Sequence, residues 1–225
     1  MDSRPEYPSP TIGEFATIFS ELRRVVAGPL LLNVGRKWRN SVELRWYEEL
    51  VSTIEDEGWP HTDTRIWVKP NANPIQGQVL IDSHEYVFMF GSGFDVDALR
   101  TPYSESTIAR MNRRWLHGEV KGTTRAVDGR PMNENGARPR SFMVGYVGEE
   151  KGLEHPAPMP TFVAEELVKL SGAKRVIDPF AGAGTTCLAA RKLNRQSVGI
   201  ELLPEFARMA ADRLGQQSLF VDVGA

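Results

Sequence analysis

Residues 175–190 read Arg-Val-Ile-Asp-Pro-Phe-Ala-Gly-Ala-Gly-Thr-Thr-Cys-Leu-Ala-Ala, and no other stretch of this 225-residue chain restricts its fold as much. Val176 and Ile177 are β-branched and apolar, which suits a strand covered on both faces. Asp178-Pro179 ends that strand, since proline brings no N–H to a ladder. Gly182 and Gly184 let the backbone turn sharply and approach a ligand with no Cβ in the way. Thr185 or Thr186 then opens a helix whose first N–H groups lack partners within the helix and can be offered to a bound molecule.

Three nucleotide-type ligands could use such a turn. A phosphate-cradling loop needs Gly-Lys-Ser/Thr, but Gly184 is followed by Thr185-Thr186, with no lysine to meet a phosphate. A dinucleotide fold wants an acid roughly 20 residues on for the ribose hydroxyls, and Glu201 supplies one. Asp178 directly ahead of the glycines would nonetheless repel a pyrophosphate and favour a cation. S-adenosylmethionine has no phosphate and carries a sulfonium and an ammonium, so an acid at each of two neighbouring strand ends suits it better. A tight turn that binds nothing is the plain alternative, because glycine turns alone are weak signals.

At Asp178 to Thr186 the chain resembles the amino-group DNA methyltransferases in the permuted order that puts the cofactor motif near the C-terminus. The resemblance extends to Glu201, to His155-Pro-Ala-Pro-Met-Pro160, and to the earlier runs Leu31-Leu-Asn-Val34, Trp67-Val-Lys69 and His84-Glu-Tyr86. It implies an α/β fold: a Rossmann-like, S-adenosylmethionine-dependent methyltransferase sheet with helices on both faces. It also implies roles. Glu201 would bind the ribose hydroxyls, and Phe180, Gly182, Gly184, Thr185 and Thr186 would hug the methionine portion. Asp178 would help fix the ammonium, with Met159 and its prolines covering the same end. The implied reaction moves a methyl group to an exocyclic amino group of cytosine or adenine in double-stranded DNA, with the base flipped out to be reached.

Composition narrows the setting. With 41% hydrophobic and 25% charged residues the chain is ordinary for a globular protein, and its net charge of -2 confines any nucleic-acid surface to a local patch. Such a patch exists. Between Arg100 and Arg140 nine basic residues face four acidic ones, and Arg113-Arg114-Trp115 sets paired guanidinium groups beside an aromatic, suited to phosphate and base contacts. The resembled family places its target-recognition insertion between the counterparts of His84-Glu-Tyr86 and His155-Pro156. Residues 91–150 are therefore expected to be that insertion, and residues 1–90 with 151–225 the catalytic and cofactor domain. The lone Cys187 excludes an internal disulfide and lies on the helix after the glycines, where a small buried role is expected. His84-Glu85 has no second histidine at helical spacing, so no metal is assigned. No apolar run approaches the roughly 18 residues of a membrane span, and the cytoplasm is the expected compartment.

Elsewhere, periodicity predicts a helix from Thr11, a strand at Leu30–Val34, and a second helix from Asn40 towards Gly58. Strands follow at Thr64 to Lys69 and His84 to Phe90, then a helix from Thr161 and strands at Arg175, Ser197 and Ser218. The alternation implies a mostly parallel sheet. One piece is missing. The resembled family needs an Asp-, Ser- or Asn-Pro-Pro-Tyr or -Phe loop on a central strand, and this chain has no Pro-Pro anywhere. The expectation is a C-terminal portion of a methyltransferase whose catalytic loop lies upstream or on a separate polypeptide, so no catalytic residue is assigned. A catalytically inactive remnant that binds DNA or cofactor is the alternative, and a small-molecule methyltransferase would need the basic stretch to be incidental.

Overall fold

The computed structural model describes residues 10–72, 80–107, 135–148 and 159–216. The chain divides into one unit built from residues up to Phe94 and from Ser141 onward, and a second spanning Asp95–Arg140.

The first unit opens with helix α1 (Ile12–Val25). Thr11 caps it: its side chain accepts from the Glu14 amide at 3.3 Å, while the Glu14 carboxylate accepts from the Thr11 amide at 2.7 Å. Those bonds hold the Glu14 carboxyl below its ordinary pKa. Strand β1 (Leu30–Val34) follows, and then a departure from expectation. Asn40-Ser-Val-Glu43 does not start a helix but turns a hairpin between β2 (Lys37–Arg39) and β3 (Val42–Leu44). Asn40 and Ser41 sit at φ of 51° and 62°, the left-handed pair that a tight two-residue hairpin turn requires. Arg36 locks the hairpin with a forked ion pair to Glu43, at 2.8 and 3.0 Å. Helix α2 begins later, at Trp46–Asp56.

Strands β4 (His61–Val68), β5 (His84–Phe90) and β6 (Phe142–Val144) complete a four-stranded sheet in the order β1-β5-β4-β6. This is not the mostly parallel sheet that the alternation implies. β1 and β4 both flank β5 antiparallel, and β6, which falls within 91–150, joins β4 in parallel. Helices cover both faces. Phe88 and Phe90 of β5 point into a cluster with Phe19 and Leu22 of α1 and Leu50 and Ile54 of α2. Val87, one residue out of phase, packs on the other side with Trp67, Met143 and Val163 and Leu167 of helix α3 (Thr161–Leu170). Trp67 is 2% exposed and its indole N–H donates to the Gly145 carbonyl at 3.1 Å, a core role. Buried Arg65 of β4 pairs with Glu166 of α3 at 2.6 Å, tying this strand to the helix that covers it.

Strands β7 (Arg175–Asp178) and β8 (Gln196–Gly199) form a separate parallel pair, joined by helix α4 (Thr185–Lys192) and followed by helix α5 (Pro204–Gln216). Among the described residues, no helix is long and apolar enough to cross a membrane.

Candidate functional site

The glycine turn is built by β7, α4 and α5 together. β8 runs beside β7 in register Asp178 to Gly199, and the Ile200 amide donates to the Asp178 carbonyl at 2.8 Å. The chain then crosses back, with the Ala181 amide donating to the Ile200 carbonyl at 2.9 Å. Gly182 and Gly184 adopt φ of 50° and 76°, the left-handed backbone that side chains resist. Gly184 is constrained a second way. A Cβ there would lie 2.9 Å from the Ala210 Cβ of α5, so the helix approaches the turn because the residue is glycine.

Both acids anticipated from the sequence are engaged with this turn. The Asp178 carboxylate accepts from the Phe180 amide at 3.0 Å. Glu201 spans the loop: one carboxylate oxygen accepts from the Gly182 amide at 2.8 Å and the other from the Leu203 amide at 2.9 Å. Thr185 is buried, and its hydroxyl oxygen accepts from Arg213 of α5, which also donates to the Ala183 carbonyl. The first bond within α4 runs from Leu188 to Gly184, which leaves the amides of Thr185, Thr186 and Cys187 outside the helical ladder. Burial pushes the Cys187 thiol up and keeps it protonated, in keeping with a packing role.

A cleft of about 1110 Å³ lies beside the turn. Asp178, Phe180, Thr186 and Met159 line it; Gly182, Gly184, Thr185 and Glu201 do not, and instead form the body of the loop. The sequence reading missed two polar residues that also line it, Asn33 and Glu85. Asn33 donates from its side chain to the Tyr86 carbonyl at 3.1 Å. Glu85 accepts from the Lys69 ammonium at 3.2 Å, in a network where Asp82 lies 3.8 Å from Lys69 and 3.6 Å from Arg36. A polar residue inside the apolar run Leu-Leu-Asn-Val was the available signal for Asn33; nothing local marked Glu85.

Arg113, Arg114 and Trp115 lie outside the described residues, as do His155 to Pro158 and Ser218 to Asp222. Of the basic stretch, Arg100 is described and serves its own unit: it donates to the Gly136 carbonyl at 2.8 Å and pairs with Asp97. Among the described residues no group of His, Cys, Asp and Glu could hold a metal ion.

A family model described as DNA methylase matches residues 12–212. Type II methyltransferase M.SmaI of Serratia marcescens is 29% identical over 188 residues, covering 80% of this chain and 54% of that protein. Type II methyltransferase M.XycI of Xanthomonas campestris pv. cyanopsidis is 30% identical over 198 residues, covering 85% and 56%. The chain therefore spans about half the length of these two relatives. Among solved structures, a DNA modification methylase of Thermus thermophilus in complex with S-adenosyl-L-methionine superposes with a TM-score of 0.59 at 20% identity, covering 95% of this chain and 84% of that one. That likeness concerns the fold.

Proposed function

This chain belongs to the DNA methylase family, and on that premise we propose that it is the cofactor-binding part of an enzyme methylating an exocyclic amino group of cytosine or adenine in double-stranded DNA. The observation that carries the reading is the pair of acids, Asp178 and Glu201, at the ends of two paired parallel strands with a left-handed glycine turn between them. S-adenosylmethionine fits this donor set. It presents cations to the carboxylates and no phosphate to be repelled, and the amides opening α4 are available to its carboxylate. When bound it supplies an electrophilic methyl group on a sulfonium.

In this reading Glu201 accepts from the ribose hydroxyls; a carboxylate offers about four acceptor sites, more than the two amides at Gly182 and Leu203 occupy. Asp178 faces the ammonium, and Phe180, Thr186 and Met159 wall the cleft around the methionine end. Gly182, Gly184 and Thr185 hold the loop in shape, with the Thr185 amide directed to the ligand. Arg113, Arg114 and Trp115 contact DNA in a target-recognition segment, and the protein works in the cytoplasm. The chain has no Pro-Pro, so we assign the loop that would grip the flipped base to a further polypeptide segment, and the 225 residues alone transfer no methyl group.

Calorimetric titration tests the cofactor assignment. Binding of S-adenosylmethionine with none of NAD is expected; the reverse result would refute it. Methylation of DNA by the purified chain, with nothing added, would refute the division of labour.

A further inference from the structure

Strands β1 and β7 lie between the same two helical layers yet share no hydrogen-bonded ladder. Leu30 and Leu32 of β1 and Ile177 of β7 all pack against the cluster that holds Phe19 and Leu22 of α1. On the opposite face, Leu31 packs towards Leu167 of α3, and Val176 towards Ala164 and Val168 of the same helix. The two strands are thus in one layer. Each is paired on one edge alone among the described residues, β1 by β5 and β7 by β8. The cleft runs between them and is lined along its length by Leu30–Asn33 and by residues 175–178.

From this geometry we propose that the cleft is a slot for one extended strand, supplied by a polypeptide segment outside this chain, which pairs with β1 on one side and β7 on the other. Backbone N–H and C=O groups on two inward-facing edges call for a partner with the same groups, and only another strand offers them along both edges at once. Both faces of the slot are covered by apolar helices, so the strand must be apolar at consecutive positions and not only at alternate ones. Its length is bounded by its neighbours, five residues in β1 and four in β7. The relatives contain the chain to supply it, since this one spans 54% and 56% of two of them. This builds on the reading that a further segment completes the site, and adds where and how that segment joins.

Amide exchange followed by NMR on the full chain tests the proposal, alone at two protein concentrations and with a synthetic peptide bearing Val-Ile-Val-Ile-Val between lysine-rich ends. In the free chain, the slot-facing amides of β1 and β7 should exchange roughly tenfold faster than those of β5, which is paired on both edges. The peptide should slow them by roughly tenfold and leave β5 unchanged, while the same peptide with proline at its centre should not. Slot amides already as protected as β5 would overturn the proposal: if independent of concentration, residues of this chain fill the slot, and if concentration-dependent, a second copy does. Equal exchange with and without the strand peptide would overturn it too. S-adenosylmethionine binding, titrated in the same samples, reports separately on the cofactor reading, which survives if binding persists while strand protection fails.

Discussion

Glu201→Ala separates what the acid does for the fold from what it does for a ligand. In the structure its two oxygens each take one backbone amide, at 2.8 Å from Gly182 and 2.9 Å from Leu203, and alanine leaves both donors without that partner. Hydrogen bonds to a charged group contribute about 1.5–3 kcal/mol each. The loop is only half-buried, so the lower end applies, and the two together amount to about 3 kcal/mol. For a domain of this size each kcal/mol moves the melting temperature by about 2–4 °C, giving a loss of about 6–12 °C by circular dichroism. A Glu201→Gln variant should fall between, because its carbonyl can accept one amide while its NH2 confronts the other. Measured below both melting transitions, S-adenosylmethionine affinity should drop by about 2–4 kcal/mol in Glu201→Ala, between about 30-fold and several hundredfold. An unchanged melting temperature would show that the carboxylate does not hold the turn. A lowered one with unchanged affinity would remove Glu201 from the ligand site.

Gly184→Ala should destabilise by about 2–4 kcal/mol in urea titration, combining a left-handed backbone penalty with the displaced Ala210 packing, whereas Gly13→Ala, whose new methyl meets open space within α1, should stabilise by about 0.5–1 kcal/mol. Phe90→Ala should lose about 3–5 kcal/mol, since the side chain is fully buried between α1, α2 and the sheet. Cys187, buried and with its thiol pKa raised, should react with a thiol reagent at mildly alkaline pH only as fast as the chain unfolds; labelling on mixing would contradict its packing. The Arg113→Ala, Arg114→Ala, Trp115→Ala triple variant should weaken DNA binding and lower its salt slope by about one for each phosphate no longer neutralised, and unchanged affinity across salt concentrations would reject that surface.

Where local chemistry decides the structure, the sequence announces it. The Thr11/Glu14 capping box, the apolar stripe of α1 and the run His84–Phe90 each appear as expected, because cap, period and β-branched or aromatic content all act within a few residues. Asn40-Ser-Val-Glu43 shows the limit of the same logic. Asn and Ser ahead of an acid suit a helix N-terminus, but they also suit left-handed turn positions, and pairing of Lys37–Arg39 with Val42–Leu44 decided between them. Strand direction was not legible either, since periodicity identifies a strand without saying which neighbour it meets; the antiparallel β4–β5 pair is settled by tertiary contact. The three residues of β6 are too few to carry a period. At the site, Asp178, the glycines and Glu201 were readable because they fall in one turn-and-strand unit. Arg36, Lys69, Asp82 and Glu85 meet across three separate segments, so their network exists only once the sheet is folded.

The double constraint on Gly184 also shapes how this turn can change over generations. Shrinking Ala210 to glycine would make room for a methyl at position 184 but leave the backbone at a φ of 76°, still unfavourable for it. Relaxing the backbone first would carry α5 and Arg213 away from Thr185 and Ala183. Neither order offers a neutral intermediate, so drift can rewrite the helices around the turn far more readily than the glycine itself.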